Sequence, residues 1–177
     1  MLPRETLVTV LRTPAVPSPP PAEVPRLVLD SLRRAAGHAP VLTGVRRCGK
    51  STMQQQLRWK TRGATVFCNL EDTRLYGLGP EDFPTVLSVL DEHHAGAAVY
   101  RDEVQEVPEW QRLVRALLDA GRSVCVIGSN ASSLGRELGA KLTGRHVSAD
   151  VYPLAGPARC VQGRRPGNRG PAGMGVP

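Results

Sequence analysis

The stretch Gly44-Val45-Arg46-Arg47-Cys48-Gly49-Lys50-Ser51 matches the phosphate-loop pattern G-x-x-x-x-G-K-[ST] in full. It follows the short apolar run 40–43 and precedes a segment rich in Gln and Leu, so we predict a buried strand before it and a helix after it. The glycines let the backbone turn tightly enough for successive N–H groups to point at phosphate oxygens, and the helix dipole adds positive charge. The stretch therefore predicts a binding site for the phosphate chain of a nucleotide.

Two side chains of this loop have defined chemistry with a nucleotide. Lys50 is expected to reach the β- and γ-phosphates of ATP, and the hydroxyl of Ser51 to coordinate Mg²⁺. Arg46 and Arg47 either help to hold a triphosphate or are solvated loop charges. The candidate nucleotide-binding residues are Gly44, Arg47, Cys48, Gly49, Lys50, Ser51 and Thr52.

Apolar runs typical of strands alternate with segments whose apolar residues recur at helical spacing. Strands that alternate with helices imply a parallel sheet covered on both faces. We therefore predict an α/β fold of the P-loop NTPase type, with about five parallel strands and helices on both faces. The predicted strands are 40–43, 65–70, 97–100, 123–127 and 146–152, and the predicted helices are 24–35, 51–60, 83–90, 110–118 and 133–142.

An acidic pair follows the third predicted strand. Besides its serine, a phosphate loop needs a carboxylate to hold Mg²⁺, usually at the tip of an apolar strand. Asp102 has that position. Glu103 beside it is expected to polarise an attacking water as a general base. Arg101 disagrees with this pattern, because a buried unpaired guanidinium is costly. Either the strand ends one residue early or Arg101 has an acidic partner.

Several short motifs occur in a characteristic order along the chain. Together they resemble the prokaryotic AAA-like ATPases, in which a P-loop domain precedes a C-terminal domain of unknown function. The resemblance covers about Val24 to Leu154 and implies binding of ATP and Mg²⁺, ATP hydrolysis, and a regulatory or DNA-associated role. The motifs are 44–52, Asn69-Leu70-Glu71-Asp72, Asp102-Glu103-Val104-Gln105, Pro108-Glu109-Trp110, Gly128-Ser129-Asn130-Ala131-Ser132 and Leu142-Thr143-Gly144-Arg145.

The resemblance also implies two further catalytic residues besides Glu103 and Lys50. Asn130, after the fourth predicted strand, is similar to the polar sensor that contacts the γ-phosphate or the attacking water; helix capping is the alternative. Arg145 is similar to an arginine finger, which would act across the interface of a homo-oligomer; a solvated surface arginine is the alternative.

Composition divides the chain into three parts. Prolines crowd the early stretch, so residues 1–23 are expected to form a leader without secondary structure, followed by the ATPase domain 24–154. Ten of the 22 residues from Gly156 to Pro177 are Gly or Pro, and 155–177 is expected to be a disordered tail. The family continues here into a second domain, so a truncated or frameshifted product is a further hypothesis.

The formal net charge of +7 suggests nucleic acid as a partner, but four arginines of the tail contribute to it, and without them it is +3. DNA binding by a non-catalytic module is therefore an alternative, and a small-molecule kinase, which this length would suit, is another. No apolar run approaches the roughly 18 residues that a membrane span requires, so no membrane association is expected. Four widely spaced cysteines and the lack of a signal-peptide pattern predict a cytoplasmic protein with reduced thiols.

Overall fold

A five-stranded parallel sheet forms the centre of the protein. The computed structural model describes residues 1–12, 32, 37–129, 142 and 144–153. The spatial order of the strands is β2-β3-β4-β1-β5, and each neighbouring pair is parallel. The α/β fold and the sheet of about five parallel strands are thus confirmed. The strands are β1 (Ala39–Thr43), β2 (Thr65–Asn69), β3 (Ala98–Asp102), β4 (Val124–Ile127) and β5 (His146–Asp150).

Helices cover both faces of this sheet, as predicted. Residues along each strand alternate between the two faces, so each face has its own buried apolar cluster. Tyr100 of β3 shares one cluster with Leu57, and the adjacent Val99 shares the other with Leu7 and Trp110. The predicted helices 24–35 and 133–142 lie outside the described residues, except for Leu32 and Leu142, which are buried. The described helices are α1 (Arg4–Arg12), α2 (Lys50–Trp59), α3 (Phe83–His93) and α4 (Trp110–Asp119).

Helix α1 corrects the prediction that residues 1–23 lack secondary structure. Leu7, Val10 and Leu11 have the spacing of one helical face and are buried in the cluster that also contains residues of α3. The N–H of Leu2 donates to Asp82 Oδ1 at 2.7 Å, which attaches the start of the chain to the turn before α3. Apart from Pro3, the prolines begin only at Pro14, so the helical spacing of the apolar residues before Pro14 was visible in the sequence. Residues 13–31 lie outside the described part.

Strand β3 continues through Arg101 to Asp102, so the strand does not end one residue early. The described residues also contain no acidic partner for Arg101. Arg101 is 3% exposed and lies opposite Cys68 of β2. Its Nε and Nη2 atoms are buried without a hydrogen-bond partner, and the described residues contain no ion pair to it. The backbone still contributes to packing, because the Arg101 carbonyl accepts a hydrogen bond of 3.1 Å from Gln54 of α2.

The parallel arrangement brings all five strand ends to one edge of the sheet. We call it the carboxyl edge, and the edge where the strands begin the amino edge. Thr43 lies opposite Asp150 and Asn69 lies opposite Asp102 in the strand register. In open parallel sheets ligands bind outside the carboxyl ends of the strands, so this edge is where a site is expected.

Candidate functional site

The loop 44–49 joins β1 to α2 at the carboxyl edge, and three of its residues have positive φ angles. Gly44, Arg47 and Gly49 have φ angles of 147°, 63° and 93°. A β-carbon at Gly44 would lie only 2.2 Å from the carbonyl oxygen of Val151, so a larger residue would displace the backbone there. The loop therefore depends on glycine both for its turn and for its close approach to the chain after β5.

Lys50 is the first residue of α2, and its side chain folds back over the loop. Its Nζ donates hydrogen bonds to the carbonyl oxygens of Gly44 (2.8 Å) and Val45 (3.0 Å), and the residue is only 6% exposed. Both acceptors are neutral backbone groups. Phosphate oxygens are negatively charged and add charge–charge attraction that a neutral carbonyl lacks, so they would compete well for this buried ammonium group.

Ser51 and Asp102 lie side by side although they are 51 residues apart. The Ser51 hydroxyl donates to Asp102 Oδ2 at 3.2 Å, and Asp102 Oδ1 accepts from the N–H of Glu103 at 2.9 Å. Burial raises the pKa of the Asp102 carboxyl, and the charge of Glu103 raises it further. A hydroxyl and a carboxylate are the hard oxygen donors that Mg²⁺ prefers, and Mg²⁺ usually takes only one or two side chains from the protein. The donor set fits this ion.

Glu103 has a left-handed backbone conformation, with φ 50° and ψ 52°, directly before the short 3-10 helix Val104–Glu106. That conformation is uncommon for a residue with a side chain, and such strain is concentrated at functional sites. Glu103 lines a cleft of about 520 Å³ at the carboxyl edge. The lining residues are Arg46, Arg47, Gly49, Lys50, Ser51, Thr52, Glu71 and Glu103.

The structure separates Arg145 from this cleft. Its carbonyl accepts from the N–H of Ala39 at the start of β1 (2.9 Å), and its guanidinium pairs with Asp119 at the end of α4. It thus lies at the amino edge, one strand length away from the phosphate loop. A contact with the phosphates of its own chain does not fit this place, and a role in a neighbouring subunit stays a prediction.

Four other predicted residues are also absent from the described cleft lining: Gly44 and Asp102, described above, and Cys48 and Asn130. The thiol of Cys48 is buried in the apolar cluster that contains Met53, and Cys48 is 2% exposed. Asn130 lies outside the described residues, and the preceding Ser129 lies two residues after the end of β4 at the carboxyl edge.

Sequence reasoning missed Glu71 and Gln105 as site residues. Glu71 lines the cleft and belongs to a motif that follows the carboxyl end of β2, which was the available signal. Gln105 is hydrogen-bonded to both Glu103 and Ser129. Its position two residues after Glu103 was visible, but no pattern indicated that the 3-10 turn would direct it back to that carboxylate.

The fold and this site define a nucleotide-binding P-loop domain. A phosphate loop after β1, a lysine and serine at the start of α2 and a buried aspartate at the end of β3 meet at one edge of a parallel sheet. A family model described as "AAA domain" matches residues 37–156. The chain belongs to this family of AAA domains, as the motifs predicted.

Two similar proteins come from distant prokaryotes. "Uncharacterized protein MJ1544" of Methanocaldococcus jannaschii is 30% identical over 115 residues, which are 64% of this chain and 26% of that protein. An "Uncharacterized protein" of Haemophilus influenzae is 31% identical over 124 residues, 65% of this chain and 31% of that protein. The matched region thus spans about a quarter to a third of the length of these relatives.

In the part of the chain that the structure describes, no helix has both the length and the apolar character needed to cross a bilayer.

Proposed function

We propose that this domain binds ATP with Mg²⁺ and hydrolyses it to ADP and phosphate, in a regulatory role. The observation that carries the proposal is the contact between the Ser51 hydroxyl and the Asp102 carboxylate beside the folded-back Lys50. A phosphate loop alone could be a glycine-rich turn. A phosphate loop whose serine touches a buried aspartate from another strand has the two protein ligands that a nucleotide-bound Mg²⁺ requires.

Each residue at the start of α2 has a separate task in this proposal. Lys50 exchanges its two backbone acceptors for β- and γ-phosphate oxygens, while Ser51 and Asp102 hold the metal. When bound there, Mg²⁺ would neutralise charge on the phosphates. Residues with positive φ in such a loop allow successive N–H groups to face the same phosphate. Arg46 and Arg47, both exposed, add positive charge around the cleft.

Glu103 is proposed to orient the attacking water. It lines the cleft together with Lys50 and Ser51, and its carboxylate has no contact with a cation in the described residues. A carboxylate in that position can act as the base for a water or for an acceptor hydroxyl; we infer water, and hydrolysis without an acceptor is the property that distinguishes an ATPase from a small-molecule kinase. Asn130 as a sensor and Arg145 as a finger for a neighbouring copy in a homo-oligomer complete the proposed catalytic set.

The central experiment measures ATP binding and turnover with Mg²⁺ in the wild-type protein and in Lys50→Ala. We expect the variant to lose most of its ATP affinity, because the buried ammonium is the charge nearest the proposed phosphates. Lys60→Ala is the matched control, since Lys60 follows the other end of α2. Equal affinity in wild type and Lys50→Ala would overturn the proposal.

A second experiment separates hydrolysis from transfer. Phosphate release without any acceptor should fall by about 10²- to 10⁴-fold in Glu103→Gln, while ATP binding is retained. Glu106→Gln is the control, because Glu106 is exposed in the same short turn. Turnover that needed an added acceptor would support the kinase instead.

A further inference from the structure

The side chain of Gln105 connects two separate parts of the carboxyl edge. Its Nε2 donates a hydrogen bond to Glu103 Oε2 at 2.5 Å and another to Ser129 Oγ at 3.1 Å. Glu103 belongs to the turn after β3, whereas Ser129 follows the neighbouring strand β4. One amide group thus joins a residue that lines the phosphate cleft to the end of the adjacent strand.

The orientation of this amide follows from the chemistry of its neighbours. A primary amide nitrogen carries two hydrogens, and here it has two acceptors. Rotating the amide by half a turn would place its oxygen against the Glu103 carboxylate, and two acceptors would then face each other. In the observed orientation Oε1 is buried and has no hydrogen-bond partner among the described residues. A buried acceptor without a partner lowers stability, so the geometry at Nε2 is maintained at a cost.

The backbone on either side of Gln105 is also constrained. Gln105 is the middle residue of the 3-10 helix Val104–Glu106, and the N–H of Glu106 donates to the carbonyl of Glu103 at 3.1 Å. Val104, the residue between Glu103 and Gln105, is buried at 1% exposure. The turn therefore presents Gln105 to Glu103 from a fixed position, and the amide has little freedom to move away.

We propose that Gln105 is a positioning residue that holds the Glu103 carboxylate in the phosphate cleft and ties its position to the end of β4. The proposal rests on the ATPase function proposed above. Glu103 has an unfavourable backbone conformation, and its side chain is only half-buried. The hydrogen bond from Gln105 therefore defines where the carboxylate lies. Ser129 directly precedes Asn130. A shift of the chain after β4 would therefore be transmitted to Glu103 through the side chain of Gln105.

The first test replaces Gln105 with Met, which keeps the length of the side chain and removes both donors. We expect kcat for ATP hydrolysis to fall by about 10- to 100-fold, while the Kd for MgATP stays within about twofold. The thermal midpoint should stay equal or rise, because the buried unpartnered oxygen is removed. Gln55→Met, at an exposed position of α2, is the matched control. An unchanged or increased kcat in Gln105→Met would overturn the proposal.

The second test asks whether Gln105 acts through Glu103. In a Glu103→Gln background, the additional Gln105→Met change should lower single-turnover hydrolysis by less than about twofold, because the carboxylate to be positioned is absent. Independent, multiplying losses in the double variant would show that Gln105 contributes by another route.

The third test does not depend on turnover. The side-chain amide signal of Gln105 in a ¹⁵N-correlated NMR spectrum is identified by its loss in Gln105→Met. It should shift in Glu103→Gln and in Ser129→Ala and stay in place in Gln55→Met. If Lys50→Ala binds ATP as well as wild type, the ATPase proposal fails, but this signal still reports the hydrogen bonds of Gln105 to Glu103 and Ser129. A signal that shifts in neither Glu103→Gln nor Ser129→Ala would disprove these hydrogen bonds even in an active ATPase.

Discussion

Buried charged side chains have different partners at the two edges of the sheet. At the amino edge, Arg122 is 9% exposed, and its guanidinium donates hydrogen bonds to Asp91 (2.6 Å) and to the carbonyl of His94 (2.9 Å). At the carboxyl edge, Lys50 contacts only neutral carbonyls in the described structure, and burial raises the pKa of Asp102.

The difference indicates what each edge does. At the amino edge, Arg122 is paired within the fold and stabilises it. At the carboxyl edge, Lys50 and Asp102 are buried at a cost and have weak partners, which is the arrangement expected where a ligand supplies the missing interactions. Removing the buried charge should therefore destabilise the protein at Arg122 and stabilise it at Asp102.

The largest effect is expected for Asp102→Asn. Mg²⁺-dependent turnover should fall by at least about 100-fold, because the loss of a metal ligand removes several kcal/mol of transition-state stabilisation. The thermal midpoint without nucleotide should rise by about 1 to 4 °C. The asparagine can still accept from the Glu103 N–H while the buried charge is gone. Calorimetry and phosphate release on the same sample test both statements.

The sign follows from the raised pKa of Asp102. A carboxyl whose pKa is higher in the folded state than in the unfolded state disfavours folding when it is ionised, and this cost is relieved as the pH falls through the raised value. The stabilisation by Asp102→Asn should consequently shrink at acidic pH. A lower midpoint in the variant at neutral pH would contradict the comparison between the edges.

Arg122→Met should have the opposite effect on stability. It leaves the carbonyl of Ala97 without this donor and Asp91 without its partner, whereas the carbonyl of His94 still accepts from the N–H of Ala97 at 3.1 Å. An unsatisfied buried carbonyl costs about 1–3 kcal/mol, so the midpoint should fall by about 3 to 9 °C. ATP affinity, measured below the midpoint, should be unchanged. Arg112→Met, an exposed arginine paired with Glu109, is the control and should shift the midpoint by less than about 2 °C.

Arg101 extends the comparison because it is buried near the carboxyl edge, and two of its nitrogens have no hydrogen-bond partner in the part of the chain that the structure describes. Arg101→Met keeps the backbone carbonyl that Gln54 contacts and removes the unpartnered guanidinium. We expect the midpoint in a thermal melt to stay equal or to rise by up to about 3 °C, since buried charges are often replaced by apolar groups without loss. A fall of more than about 5 °C would show that this guanidinium is a stabilising group like that of Arg122.

The smallest effect is expected for the exposed pair of Asp72 and Arg74 in the loop after β2. Hydrogen bonds from Arg74 lower the pKa of Asp72 to about 2. The pair therefore stabilises the fold above the ordinary carboxyl pKa of about 4, and this contribution is lost as the pH falls toward 2. Asp72→Asn should lower the midpoint at pH 7 by less than about 2 °C, with a smaller difference at pH 3. A difference that grew on acidification would contradict this assignment.

Most of the architecture could be predicted from the sequence because the apolar spacing of each segment agrees with its place in the fold. The end of β3 was less predictable: an arginine inside a buried strand violates local rules, and its position depends on pairing with β2. Helix α1 was missed because the prolines after it dominated the composition, although Leu7, Val10 and Leu11 showed the helical spacing.

For the site, motif spacing located the loop, Lys50, Ser51 and Asp102, because these residues have fixed chemical roles. The contact of Gln105 with Ser129 could not be predicted in the same way. It depends on the adjacency of β3 and β4 and on the left-handed turn at Glu103, neither of which follows from local sequence.

The close approach of Gly44 to Val151 has a mechanical consequence. The N–H of Val151 donates to the carbonyl of Thr43 at 2.7 Å, and the α-carbon of Gly44 packs against the Val151 carbonyl with no room for a methyl group. Backbone is in contact with backbone on both sides, so no side-chain rotation can absorb a displacement. A shift of the phosphate loop by a few tenths of an ångström is consequently transmitted to the residues that lead out of β5.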